Sequence, residues 1–112
     1  MKRGEIYFAD LSPTVGSETN KRRPVLIVSN DANNRAATTV TVLPVTSNVA
    51  RVYPFEVLLA ANQSGLPKDS KAMAQQIRTI SKDRLRPGKA GELGRNLMHQ
   101  IDAAIKLHLA LA

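Results

Sequence analysis

At 112 residues the chain has the size of one domain with a single modest core, and a second domain has no room. Sixteen Lys/Arg against nine Asp/Glu give a net charge of +7, which favours an anionic partner such as nucleic acid. No cysteine is present, so disulfides, thiol catalysis and Cys-containing zinc sites drop out together, and the two histidines alone make no zinc site.

The first residues, Met1-Lys2-Arg3-Gly4-Glu5, have no apolar stretch behind their positive charges, so no secretory signal is expected. Nothing approaches membrane-spanning length, and a reducing cytoplasmic location is the default. Residues 5–10, rich in Ile, Tyr and Phe, predict a first strand; residues 25–28, continuously apolar between Pro24 and Ser29-Asn30, predict a second. The loop 11–23 between them ends in Lys21-Arg22-Arg23. Pro24 pushes its predecessor into extended backbone and suits the first position of a strand, so Arg23 is expected at a strand mouth, aimed. Residues 29–38 read as a second loop. Residues 39–43 alternate branched polar and apolar side chains ahead of Pro44, predicting a third strand, and a third loop spans 46–54. Residues 55–59 put Phe55, Val57 and Leu59 on one face of a fourth strand. A fifth is predicted over 72–80, followed by Ser81 as the cap of a short helical turn.

The chain ends differently. At 100° per residue from Leu93, the side chains of Leu97, Met98, Ile101, Ala104, Ile105, Leu109 and Leu111 fall within an arc of roughly 160°, predicting an amphipathic helix. His108 lies inside that arc; Arg95, His99, Asp102 and Lys106 lie on the opposite, solvated face. Five short strands and a closing helix describe a mainly β, α+β fold: a small, strongly bent sheet or partial barrel whose chemistry sits in its loops.

Arg23 presents five donors in a rigid fork, suited to phosphate or carboxylate, and Lys21 and Arg22 beside it act as steering charges whose grip on phosphates weakens with salt. Pro44-Val45-Thr46-Ser47-Asn48 places two hydroxyls and an amide at a sheet edge, where they can bond phosphate oxygens. In Gln75-Gln76-Ile77-Arg78-Thr79, strand alternation puts Gln76 and Arg78 on one face and Gln75 and Thr79 on the other, to read base edges or to brace a neighbour. An ordinary polar turn and a strand with one polar face are the plainer readings of these two segments. Glu18 shares a loop with Arg23, as a base or as its partner. The nine carboxylates show no paired spacing for a divalent metal, so no cofactor is expected, and neither histidine has a nucleophile motif nearby. Aromatics are too few for a base-stacking platform; Tyr53 and Phe55 flank a loop edge, with Phe55 assigned to the core.

Taken in order, Arg3-Gly4-Glu5-Ile6-Tyr7, Asp10-Leu11, Gly16-Ser17-Glu18, Arg23-Pro24-Val25-Leu26-Ile27, Ser29-Asn30-Asp31, Pro44-Val45-Thr46-Ser47 and Gln76-Ile77-Arg78-Thr79-Ile80 resemble the MazF/PemK family of toxin endoribonucleases from type II toxin–antitoxin systems. The likeness spans almost the whole chain. It implies an SH3-like barrel of the CcdB/PemK/MazF type with a C-terminal helix, a homodimer, and an acidic, MazE-like antitoxin partner. It further implies metal-independent cleavage of single-stranded RNA by 2′-hydroxyl attack, leaving 2′,3′-cyclic phosphate and 5′-hydroxyl ends. By this resemblance Arg23 and Thr46 serve catalysis, and Ser47, Glu18, Gln76 and Arg78 line or support the RNA groove. Lys21, Arg22, Asn48 and Arg51 are expected to add RNA contacts, with Glu18 also a candidate base. The Kid-like branch uses an arginine and an aspartate as acid and base where this chain has Met73 and Gln75, so that pair does not transfer, and the general base stays open between Glu18 and RNA-assisted proton transfer through water. Two other readings stay open: a gyrase-poisoning toxin of the same barrel superfamily, and a non-enzymatic basic RNA-binding barrel.

Overall fold

The structure, a computed structural model, describes residues 1–19 and 21–112; Asn20 of the first loop lies outside the described residues. Strands β1 (Glu5–Asp10) and β2 (Arg22–Ile27) pair antiparallel from Ile6 opposite Leu26 to Asp10 opposite Arg22. Pairing with β1 carries β2 three residues ahead of the apolar run, so Arg23 and Pro24 lie within the strand and not at its mouth. Pro24 stands beyond the last β2–β3 pair, where its missing N–H costs that ladder nothing. Strand β3 (Thr39–Thr46) continues through Pro44 to Thr46.

The loop expected over 29–38 contains a helix, α1 (Asp31–Ala36), whose first turn is closed by Asn30 Oδ1 accepting from the Asn33 amide at 2.8 Å. Asn and Asp read as turn formers, yet one of them at the cap position is what starts a helix. Strand β4 (Glu56–Leu59) buries Val57 and Leu59 as expected, while Phe55 falls outside it. A single turn, α2 (Ala61–Ser64), follows.

The single strand predicted over 72–80 is two strands, β5 (Ser70–Met73) and β6 (Arg78–Ser81), separated by a 3-10 turn over Ala74–Gln76. Both pair with β3, β6 along its first half and β5 at its end, and the register slips by three residues across the turn. The turn lets one edge follow the bend of β3, which a straight strand would leave. As anticipated, Ser81 caps the short turn Lys82–Arg84 through its hydroxyl. Strand β7 (Gly91–Glu92) closes onto β1. Gly91 is required there: a Cβ would collide with the Ser64 carbonyl oxygen of α2.

The sheet runs β4-β5-β3-β2-β1-β7, with β6 also on β3: seven strands in a mainly antiparallel half-barrel. The continuous apolar run of β2 is explained by burial on both faces. Leu26 packs with Ile6, Leu43 and Val45 beneath helix α3 (Arg95–Leu109), which contributes Leu97, Ile101 and Ala104. Val25 and Ile27 pack on the opposite face with Val40, Val42 and Ile80. The apolar arc outruns the sheet, leaving Leu109 at the end of α3 and Leu111 beyond it about half exposed, and Leu107, just outside the arc, is exposed as well. His108 is exposed too, tilted against Phe55, and Asp102 is not simply solvated but pairs with Arg3. Among the described residues no helix is long and apolar enough to cross a membrane.

Candidate active-site cleft

Alternation along β2 puts Arg23 on the face that carries Val25 and Ile27, so this face changes from apolar to charged toward the strand start. Continuing the β2–β3 register by two residues sets Arg23 opposite Thr46, and Arg23 Nη1 donates to Thr46 Oγ1 at 3.4 Å. The β3–β5 register sets Thr46 opposite Lys71. Arg23, Thr46 and Lys71 thus form a row across three neighbouring strands, about 10 Å from end to end. They line a cleft of about 320 Å³ together with Glu18, Asn48 and Gln76.

The long first loop is pinned over this cleft by the segment that the 3-10 turn projects. Gln76 Oε1 accepts from the Thr19 amide at 3.2 Å and its Nε2 donates to the Ser17 carbonyl at 3.3 Å. Arg78 Nη1 donates to the Leu11 carbonyl at 3.4 Å, which braces the base of the loop and keeps Arg78 out of the cleft lining. Glu18 Oε1 accepts from the Val15 amide at 3.0 Å, closing the loop tip.

Lys71 was not among the residues expected from sequence. Its ammonium lies 2.8 Å from Glu56 Oε1 and donates to the Arg51 carbonyl at 2.6 Å. Glu56 also accepts from the Tyr53 amide at 2.9 Å and from Gln75 Nε2 at 2.6 Å. The Glu56 side chain is 2% exposed and that of Lys71 11%. Burial by itself would raise the Glu56 carboxyl; the Lys71 ammonium, the Tyr53 amide and the Gln75 amide outweigh it and hold the carboxyl below its ordinary range. Gln75 therefore serves Glu56, on the side away from Gln76. The signal in the sequence was a lone Glu inside an apolar strand and a lone Lys in the next, but only pairing brings them together.

Against this geometry, the family described as PemK-like, MazF-like toxin of type II toxin-antitoxin system matches residues 2–109. The chain belongs to this family. Endoribonuclease MazF9 of Mycobacterium tuberculosis is 51% identical, covering 99% of this chain and 98% of that protein. Endoribonuclease EndoA of Bacillus subtilis is 42% identical, covering 99% and 96%. Among solved structures, MazF from Deinococcus radiodurans superposes with a TM-score of 0.85 at 26% identity, over 99% of this chain and 97% of that one. A mycobacterial endoribonuclease in complex with its cognate antitoxin gives 0.82 at 29% identity, over 100% and 97%.

The toxin's remaining expected site residues are spread around the cleft. Arg22 and Ser47 face a second hollow of about 260 Å³, which also touches Arg23 and Thr46 and is lined by Phe8, Pro24, Leu66 and Lys68. Lys21 is exposed, with φ of 67°, and lines neither hollow. Arg51 turns outward: its Nη1 donates to the Tyr53 hydroxyl at 3.1 Å and its guanidinium lies 5.7 Å from that ring's centre. Phe55 is not core but half-buried, stacked on Tyr53 with ring centres 5.6 Å apart. Among the described residues no three His, Asp or Glu side chains gather as a metal-binding group.

Proposed function

We propose that the cleft floored by Arg23 and Thr46 is where this toxin endoribonuclease of a toxin–antitoxin system cuts single-stranded RNA. The observation that carries the reading is the Arg23 guanidinium held against the Thr46 hydroxyl by strand register, a preorganised pair of donors beside an open cleft. The ribose 2′-hydroxyl attacks the adjacent phosphorus, and negative charge grows on the nonbridging oxygens. Arg23 stabilises that charge and Thr46 fixes one oxygen; neither has to reorganise during the step. Glu18, on the loop across the cleft, accepts the 2′-hydroxyl proton directly or through one water. A-form duplex holds the attacking oxygen out of line with the leaving oxygen, so single strands are the substrate. Asn48 and Gln76 supply amides to base edges, while Arg22, Ser47 and the more distant Lys21 and Arg51 follow the backbone.

The same basic rim suits an acidic, disordered antitoxin segment that folds on binding and competes with RNA. A homodimer and a cytoplasmic location belong to this reading. The test is direct: wild-type protein is incubated with single-stranded RNA in EDTA and the product ends are analysed. Cyclic-phosphate and 5′-hydroxyl ends are expected. Bound but intact RNA, or 5′-phosphate ends, would refute the mechanism.

A further inference from the structure

We infer that Lys71, fixed by the buried Glu56 carboxylate, is the general acid of this cleft and delivers a proton to the departing 5′-oxygen of the RNA. This rests on the cleavage reading above and supplies what Met73 and Gln75 do not. Met73 lines the cleft but carries no exchangeable proton, and the Gln75 amide is engaged with Glu56. Among the described residues lining the cleft the ionisable side chains are Glu18, Arg23 and Lys71, and Arg23 is already engaged with Thr46 and the developing phosphate charge.

Position agrees with the role. In-line displacement needs the base and the acid on opposite sides of phosphorus. Glu18 reaches the cleft from the long first loop and Lys71 from β5, at the end of the row that begins at Arg23, so the two enter it from different elements. Two of the three ammonium hydrogens are used, by Glu56 and by the Arg51 carbonyl. The third has no hydrogen-bond partner among the described residues; the ammonium lies 5.9 Å from the centre of the Tyr53 ring, and Lys71 lines the cleft. Glu56 cannot act in its place, because it is almost fully buried and both its oxygens accept bonds. A buried ion pair is seldom more stable than an apolar pair of the same volume, so its placement under the cleft needs a reason other than stability.

The step balances. The O2′–P bond forms as the P–O5′ bond breaks; Glu18 takes the 2′-hydroxyl proton and Lys71 Nζ gives one to O5′. Water then returns a proton from Glu18 to Lys71.

A leaving sulfur departs as a thiolate and needs no acid, so it separates this role from a structural one. Because Lys71→Met alone would strand a buried carboxylate, the comparison is made between Glu56→Gln and Glu56→Gln/Lys71→Met, each checked for folding by thermal melt, with Lys71→Gln as a second replacement. On an RNA oligonucleotide bearing the sequence that wild type cuts, loss of the ammonium is expected to slow cleavage by about 10² to 10⁴. With sulfur replacing the bridging 5′-oxygen at the scissile bond, the two variants are expected to cut alike. Equal slowing on both substrates, or no slowing on oxygen, overturns the inference. Failure of wild type to cut any RNA overturns the cleavage reading itself.

Discussion

On one face of the β2–β3 end, the hollow is lined by Arg23 and Lys71 with Glu18 and amides around them; on the other it is floored by Phe8, Pro24 and Leu66 with Arg22 and Lys68 at its rim. Both touch Arg23 and Thr46. The first combines cations with a carboxylate and a hydrogen-bonded pair, the ingredients for moving protons and stabilising charge. The second has cations, no carboxylate and an apolar floor, which suits holding a partner. Strand alternation creates the difference: successive residues point to opposite faces, so a few residues at one strand end furnish, on the proposed reading, a reactive side and a gripping side.

The largest way to break this contrast is to strand a charge under the first hollow. Glu56→Ala leaves the Lys71 ammonium buried without its carboxylate and should cost about 3–5 kcal/mol of folding stability, read by denaturant melts. Acid attacks the same pair. Because the folded-state carboxyl of Glu56 is held below its ordinary value of 4.5, its contribution is present above that pH and is lost as pH falls through the lowered value. Thermal melts should therefore weaken below about pH 4.5, and less so in Glu56→Gln/Lys71→Met, where the pair is gone.

Next in size is the shared wall. Arg23→Ala removes a preorganised donor and should slow cleavage by about a hundredfold to a thousandfold in single-turnover assays. RNA affinity should fall far less. A wild-type rate in this variant would move the chemistry away from the cleft. The smallest expected effect lies on the gripping side: Arg22→Ala should leave the bound-state cutting rate unchanged and reduce the salt slope of RNA binding by about 0.7, the share of one phosphate contact to a single strand. A change in rate instead would blur the distinction between the two faces.

Much of this was legible beforehand because the signals are local. Pro24 next to Arg23 marks an extended arginine, the alternation over 39–43 marks a strand leading to Thr46, and the 3.6-residue period after Leu93 marks the helix whose Leu97, Ile101 and Ala104 are buried. The helix at Asp31–Ala36 was hidden by its turn-forming residues, which double as a cap. Phe55 reads as core by alternation with Val57 and Leu59, but β4 begins only at Glu56, so the alternation does not extend to it.

By itself the sequence determined that the chain is basic, mainly β with a closing helix, and related to one toxin family, and it singled out Arg23, Thr46 and Glu18 as the side chains expected to react. Those are properties of composition, short-range periodicity and motif order. Only the tertiary structure decided that the 72–80 segment breaks into two strands, that Gln76 from the intervening turn pins the loop carrying Glu18, and that Lys71 joins Arg23 and Thr46 over a buried Glu56. Each of these depends on which strand lies beside which and in what register, and such pairing is settled by contacts between residues distant in the chain, where no local pattern reaches.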